Sequence, residues 1–403
     1  MGAPLLGSHH SPTALPCEGD SPAPCGPARR ADRGSSLVRV ALDDLFDLNA
    51  IVDRVLAQLV EEHGEEWVVE RSDRLQAAFG RAAETALSDA TPLVKDLKAA
   101  APAMLEERRR GRREYREMIE EHWAAAFDLY EVVLRIAFEA GTDFGETRAE
   151  RLGDRRVFVV LTRLHARGCR IAEEILVLLK NGYGQGALAR WRTLHEVTSV
   201  AMFIAKHGES VAERYLAHEV VETWRATREY ERCAPALGYE PLAEGELDEV
   251  SQQVEVLVER FAKRFKEPYG WAADALDRDV EARGLSGFAA IEKVVELDHL
   301  RAHYRFASHP THGNPKGVLF NPDFSGDGVL AGPSPEGLAD PGHCALISLT
   351  QLTATLLVLD SGPSMPVVIG AMLRLGEEAG AAFIAAAEAL EGRLIFEGGA
   401  STP

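Results

Sequence analysis

Residues 292–316 read E-K-V-V-E-L-D-H-L-R-A-H-Y-R-F-A-S-H-P-T-H-G-N-P-K, and this stretch decides the predicted fold. Placed on a helix, its apolar residues form one stripe that should face a core: Leu297, Leu300, Tyr304 and Ala307. Pro310 disfavours helix at its own position and at the residue before it, so the helix should end near Ser308. We therefore predict a helix over residues 286–308, followed by a turn.

The same stretch is rich in groups that bind ligands or transfer protons, including four of the thirteen histidines of the chain. A second strip, on the other side of the predicted helix, should face solvent: Glu292, Glu296, His299 and His303. His312 follows the helix end, where a turn over residues 312–315 can direct it back toward Arg305 or Tyr304. This region is therefore the first candidate for a functional site.

Helical spacing continues along most of the chain, and no segment shows convincing period-2 alternation, so we predict an all-α, multi-helix bundle. A charged break that contains glycine, residues 141–154, should separate two helical regions. The predicted organisation is a disordered tail (1–36), a helical N-terminal region (37–150), a helical core domain (155–395) and a short tail (396–403). The Gly/Pro-rich loop 314–341 is long for a compact domain, and such loops are usually functional or mobile.

Composition narrows the function classes. Apolar residues make up 46 % of the chain and the net charge is −19, which excludes a protein built to coat DNA or an anionic membrane. The five cysteines are widely spaced with no CxxC, which favours a reducing, cytoplasmic compartment. The most apolar run, residues 345–359, is shorter than the ~20 residues needed to span a bilayer. We expect this run to form a buried helix. Assembly of the protein into a homo-oligomer is kept as an open alternative.

A second group of polar residues lies on the predicted helix 185–206, whose second half is apolar nearly all round. Arg192 and Glu196 are one turn apart there, with Ser199 beside them, and a charged pair on a buried helix is unfavourable unless it is satisfied. The pair either joins helices structurally or lines a polar pocket that orients His312 or a ligand. Arg190 and His195 are expected on the exposed side of this helix.

Two segments carry a family resemblance. A-L-A-R-W-R-T-L-H-E (187–196), followed by H-Y-R-F-A-S-H-P-T-H-G (303–313), resembles the bacterial family catalogued as domain of unknown function 5677. The resemblance covers roughly residues 155–395 and confers no activity. Its motif positions in this chain are Arg192, Glu196, Tyr304, Ser308 and His312. The first four, together with Asn314, are the predicted binding residues.

A looser resemblance is to the HEPN superfamily of all-helical ribonucleases, whose motif is an Arg, four to six residues and a His. Arg305, six residues and His312-Gly313 fit this motif, although Pro310 interrupts it and no Asn, Asp or His follows Arg305. The resemblance implies a metal-independent ribonuclease. In such an enzyme His312 would be the base that removes the proton of the RNA 2′-hydroxyl. Arg305 would be the cation that stabilises the phosphorane.

Two functions follow from these patterns. One is a binding or regulatory module whose polar pocket holds a small ligand, and the other is a HEPN-like ribonuclease that acts on RNA as a toxin or phage-defence effector. The net negative charge of the chain favours the binding module, whereas an arginine cluster at residues 108–113 keeps the ribonuclease as the alternative. No metal or cofactor is predicted, because the usual metal and nucleotide motifs are absent.

Overall fold

The computed structural model describes residues 57, 59–71, 75, 91–313, 315–319, 331–360 and 362–399. These residues form helices, turns and irregular segments and contain no β-strand, so the all-α prediction is confirmed. The predicted disordered tail 1–36 and Asn314 lie outside the described residues. So do residues 320–330 of the predicted loop and residues 400–403 of the predicted C-terminal tail.

The helices of the described residues are α1 (Glu65–Glu70), α2 (Thr91–Leu152), α3 (Arg156–Lys180), α4 (Gly184–His207), α5 (Glu209–Ala217), α6 (Glu219–Leu237), α7 (Glu246–Phe261), α8 (Ala273–Arg278), α9 (Gly287–Val294), α10 (Arg301–Ala307), α11 (Pro315–Leu319), α12 (Ala339–Leu357) and α13 (Met365–Gly399). Short 3₁₀ turns lie at Lys263–Lys266, Val280–Ala282, Asp298–Leu300, His309–Thr311 and Val358–Asp360.

The chain divides into two compact units, Met1–Arg108 with Gly399–Pro403, and Arg109–Gly398. The predicted break at residues 141–154 begins too early, because α2 continues without interruption to Leu152 and the chain leaves the helix only at residues 153–155. Gly141 has a packing role instead, since a Cβ atom there would lie 2.2 Å from the His165 ring of α3. The glycine therefore allows two helices to approach closely and does not end one of them.

The core of the Arg109–Gly398 unit is built around α3, α4 and α12, which pack against one another. Gly168 lets α3 approach α12 closely, because a Cβ atom at this position would lie 2.2 Å from Leu352. Trp191 of α4 is fully buried, and its indole N–H donates to the Ser348 hydroxyl of α12 at 3.1 Å. This hydrogen bond pairs two buried polar groups from different helices, and such pairing offsets the cost of removing them from water.

Helix α12 is long and apolar enough to cross a membrane by length and composition alone, yet 61 % of its apolar window is buried inside the protein. Its buried side includes Leu349, Leu352 and Leu356, which belong to the hydrophobic core. The prediction of a buried helix over residues 345–359 is confirmed.

The predicted continuous helix over residues 286–308 is wrong, because it is divided into α9, a 3₁₀ turn and α10. Glu296 adopts a left-handed conformation with φ 61°, which stops α9. The Leu297 N–H then bonds the Glu292 carbonyl at 2.9 Å and the Glu296 N–H bonds the Lys293 carbonyl at 3.2 Å. This is the Schellman pattern of a helix C-terminus. The predicted end near Ser308 is confirmed, since α10 ends at Ala307.

Candidate functional site

Three predicted binding residues come together between α4 and α10. The Tyr304 hydroxyl accepts a hydrogen bond from Arg192 Nη2 at 2.6 Å and donates one to Glu196 Oε1. Arg192 and Glu196 also form an ion pair at 3.2 Å. The guanidinium carbon of Arg192 lies 4.6 Å from the centre of the Tyr304 ring, a cation–π distance. One tyrosine thus holds both members of the pair.

The Tyr304 hydroxyl is suited to this donor role. Burial, followed by the hydrogen bond and negative charge of Glu196, raises the pKa of Tyr304. The phenol therefore remains protonated at neutral pH and donates to the carboxylate. Tyr304 is 8 % exposed, so its position is set by packing as well as by hydrogen bonds.

A second polar pair lies deeper, between His195 of α4 and Glu292 of α9. His195 Nε2 lies 2.9 Å from Glu292 Oε1, and both side chains are fully buried. The other carboxylate oxygen of Glu292 accepts a hydrogen bond from Arg301. An ionised carboxylate can only accept, so the proton of this His–Glu bond lies on His195 Nε2.

The structure corrects two predicted orientations. His195 was expected on the exposed side of its helix and Glu292 in a solvent-facing strip, and both side chains are buried. The sequence contained the signal for each. His195 shares helical spacing with the buried Trp191 and Thr198, and Glu292 shares it with Phe288 and Val295. The prediction gave polar character more weight than spacing. In the protein His195 Nε2 and the Glu292 carboxylate pair with each other across two helices, and Arg301 also binds the carboxylate.

Aromatic rings enclose the buried histidine. The His195 ring lies 5.4 Å from Trp191, 6.0 Å from Phe288 and 5.8 Å from Tyr304, measured between centroids. We call the six connected side chains the polar cluster: Arg192, His195, Glu196, Glu292, Arg301 and Tyr304. Sequence analysis did not single out Tyr269, which packs against Phe288 at 6.3 Å. Burial and then the nearby charge of Glu196 raise the pKa of Tyr269 to about 12.

The polar cluster is graded from a dry interior to an open edge. Glu292 has no exposed side-chain surface, whereas the side chains of Arg192 and Glu196 remain 30 % and 29 % exposed. The two arginines of the polar cluster, Arg192 and Arg301, balance its two carboxylates in number. The open edge can contact a small molecule, while the inner pair fixes the framework.

The remaining predicted site residues are not part of the cluster. Ser308 donates to the backbone carbonyl of Tyr304 at 3.0 Å, an internal bond of α10. Arg305 and His312 are exposed, and neither side chain makes a hydrogen bond or ion pair with another residue that the structure describes. The structure therefore holds three of the predicted residues in one group and leaves the predicted catalytic pair outside it.

No group of three or more His, Cys, Asp or Glu side chains that could hold a metal ion occurs within the described ranges. His299 and His303 are exposed, and His299 Nδ1 lies 3.0 Å from the carbonyl of Glu296. Both histidines therefore face solvent, as the strip on the sequence predicted, and belong to no three-residue group of this kind among the described residues.

Comparison with known proteins gives one result. Residues 158–327 match the model of a group described as "Family of unknown function (DUF5677)". No curated protein and no solved structure shows a significant match to the chain. The matched range contains α4, α9 and α10, which supply the whole polar cluster. The segment that builds the site is thus similar to the Family of unknown function (DUF5677), the family that the two sequence motifs indicated.

Proposed function

We propose that the protein is a helical binding module, in which the open edge of the polar cluster recognises a small polar ligand. The observation that carries this proposal is the fixed, partly exposed Arg192–Glu196 pair. Tyr304 restrains both side chains before any ligand arrives, so binding would lose little side-chain freedom. The pair presents one cationic and one anionic group to solvent, which suits a ligand with both charges or with an amide.

The alternative is the HEPN-like ribonuclease, with Arg305 and His312 in catalytic roles. A catalytic base must be held within hydrogen-bond reach of the proton it removes, usually by neighbouring groups. His312 is exposed and no described residue orients its ring. The net charge of −19 also opposes the binding of RNA. Both observations favour the binding module over the ribonuclease.

An RNA degradation assay separates these two functions. Purified full-length protein and the His312→Ala variant are incubated with total RNA, and growth is followed after each is induced in cells. We expect intact RNA and unchanged growth in both cases. RNA loss and slow growth that disappear with His312→Ala would establish the ribonuclease and remove the binding module as the main function.

Ligand recognition by the cluster is tested by thermal shift with acetate, glycine and glutamine as probes. We expect a saturable stabilisation of the wild type by at least one zwitterionic probe. Tyr304→Phe keeps the ring but removes the hydroxyl that restrains Arg192 and Glu196, so the stabilisation should be lost. If no probe stabilises the wild type, or if Tyr304→Phe responds equally, the cluster is structural and does not recognise these ligands.

A further inference from the structure

A cavity of about 940 Å³ lies between α3, the α5–α6 segment and the turn that contains Tyr269 and Trp271. Its volume falls within the range of about 300–1,000 Å³ usual for small-molecule sites. Arg192, Glu196 and Tyr304 do not line it, so it is distinct from the open edge of the polar cluster. The cavity needs its own explanation.

One wall of this cavity is a row of arginines on α3. Arg163, Arg167 and Arg170 recur at helical spacing, so they lie on one face within about 10 Å along the axis. Arg170 lies 3.8 Å from Glu174, whereas Arg163 and Arg167 form no ion pair within the part of the chain that the structure describes. Like charges one helical turn apart repel each other. The row therefore disfavours the folded state slightly unless an anion joins it.

The local charge is unusual for this protein. Four arginines and two glutamates line the cavity, in a chain whose net charge is −19. One of the two, Glu222, is already engaged by the fourth arginine, Arg225, at 2.8 Å. The other, Glu219, accepts a hydrogen bond from Thr223 at 2.8 Å. Because Arg170 lies 3.8 Å from Glu174, the cavity arginines without an ion-pair partner among the described residues are Arg163 and Arg167.

The opposite wall is aromatic and firmly held. Tyr215 and Trp271 pack edge to face at 5.0 Å, and Tyr269 continues the wall. The buried guanidinium of Arg214 fixes this turn by donating to the carbonyls of Trp271 at 3.0 Å and Gly270 at 3.1 Å. The wall is thus pre-formed and does not need a ligand to assemble it.

We propose that this cavity binds a small ligand that joins a phosphate monoester to a planar aromatic body. The guanidinium groups of Arg163 and Arg167 donate to the phosphate oxygens, which matches the geometry of arginine–phosphate pairs. The aromatic body lies against Tyr215 and Tyr269, the half-buried rings of the opposite wall. The proposal for this cavity does not rest on the function proposed for the polar cluster.

Calorimetric titration of the full chain with 1-naphthyl phosphate tests the site, and 1-naphthol and inorganic phosphate are the partial probes. We expect saturable binding of 1-naphthyl phosphate at low salt, with each partial probe at least about tenfold weaker. The double variant Arg163→Gln/Arg167→Gln should weaken binding by at least about 30-fold, because both phosphate donors are lost. Higher salt should weaken binding as well, since the cavity is open to solvent.

The control variant Arg283→Gln/Arg374→Gln removes two positive charges from exposed positions outside the cavity and should bind like the wild type. Arg163 and Arg167 are themselves exposed, so each variant should keep a thermal midpoint within about 2 °C of the wild type. No saturable binding up to about 1 mM would overturn the proposal, as would equal binding by the cavity variant. Binding of inorganic phosphate or naphthol as tight as that of the joined probe would also overturn it.

Discussion

At the residue scale, burial separates two ion pairs that look alike on the sequence. Glu196 and Glu292 each meet an arginine, but Glu292 is fully buried and Glu196 keeps 29 % of its side-chain surface. A charge left without its partner in a dry interior is far more unfavourable than one that water can reach. Exposure, more than residue type, therefore sets the contribution of each carboxylate to stability.

We expect a ranked loss of stability for three substitutions. Glu292→Gln should lower the free energy of unfolding by about 4 kcal/mol, because the buried pairing with His195 and Arg301 is disrupted. Glu196→Gln should lower it by about 2 kcal/mol, since Gln still accepts from Tyr304 but no longer pairs ionically with Arg192. The exposed His312→Ala should stay within about 1 kcal/mol of the wild type.

Urea unfolding followed by circular dichroism measures these losses, and Glu377→Gln on the exposed side of α13 is the matched control. Equal losses for Glu196→Gln and Glu292→Gln would contradict the graded cluster. A large loss of stability in His312→Ala would show that this histidine caps the end of its helix and has a structural role only.

At the element scale, one backbone conformation divides a predicted helix into two. Glu296 occupies the left-handed position that ends α9, where glycine is the usual residue. The consequence is a change in chain direction between Glu292 and Arg301, which lets Arg301 return to pair with the Glu292 carboxylate. The helix end is thus part of how the polar cluster is assembled.

Replacing Glu296 with glycine should stabilise the protein by up to about 1 kcal/mol, because glycine adopts a positive φ without steric conflict. The greater freedom of glycine in the unfolded chain opposes part of this gain. Thermal and urea unfolding measure the difference, and Glu296→Ala is the control that removes the carboxylate but keeps the strain. If Glu296→Gly is less stable than Glu296→Ala, the left-handed conformation is not a source of strain.

At the scale of the whole molecule, several histidines are buried within the Arg109–Gly398 unit. Burial lowers the pKa of His165 to about 4, and burial also lowers the pKa values of His207, His218 and His343. A histidine whose pKa falls on folding binds fewer protons in the folded state than in the unfolded chain. Stability from these residues is present above pH 6.5 and is lost as the pH falls.

His165 alone should account for a loss of roughly 2 kcal/mol between pH 7 and pH 5, from its ordinary pKa of about 6.5 in the unfolded chain. The free energy of unfolding is measured across this range by urea titration. His165→Gln removes the titrating ring and should show a shallower decline. Thr353→Val removes the hydroxyl that lies 3.0 Å from His165 Nε2 but leaves the histidine, so it should keep the wild-type decline. Identical slopes for all three proteins would contradict the role of His165.

The sequence alone determined the fold class, the buried helix at residues 345–359 and the end of the helix at Ser308. These features depend on local properties, namely apolar spacing and the missing N–H of Pro310. Because charges on a buried helix require partners from another element, the sequence also predicted that five residues converge: Arg192, Glu196, Tyr304, Ser308 and His312. The first three meet in the structure, whereas Ser308 bonds the Tyr304 carbonyl within its own helix end and His312 is exposed.

Tertiary structure decided the rest. Helical spacing places His195 and Glu292 on apolar faces, but the partners that they meet there come from other helices, and a single chain segment does not show those partners. The left-handed turn at Glu296 and the unbroken α2 through Gly141 are likewise set by packing, which overrides local glycine and helix preferences. The arginine row of α3 was visible as spacing, but only the fold placed the aromatic wall of Tyr215, Tyr269 and Trp271 opposite it. Residues that are distant in sequence meet only when the chain is packed, because helix–helix contacts, and not local periodicity, bring them together.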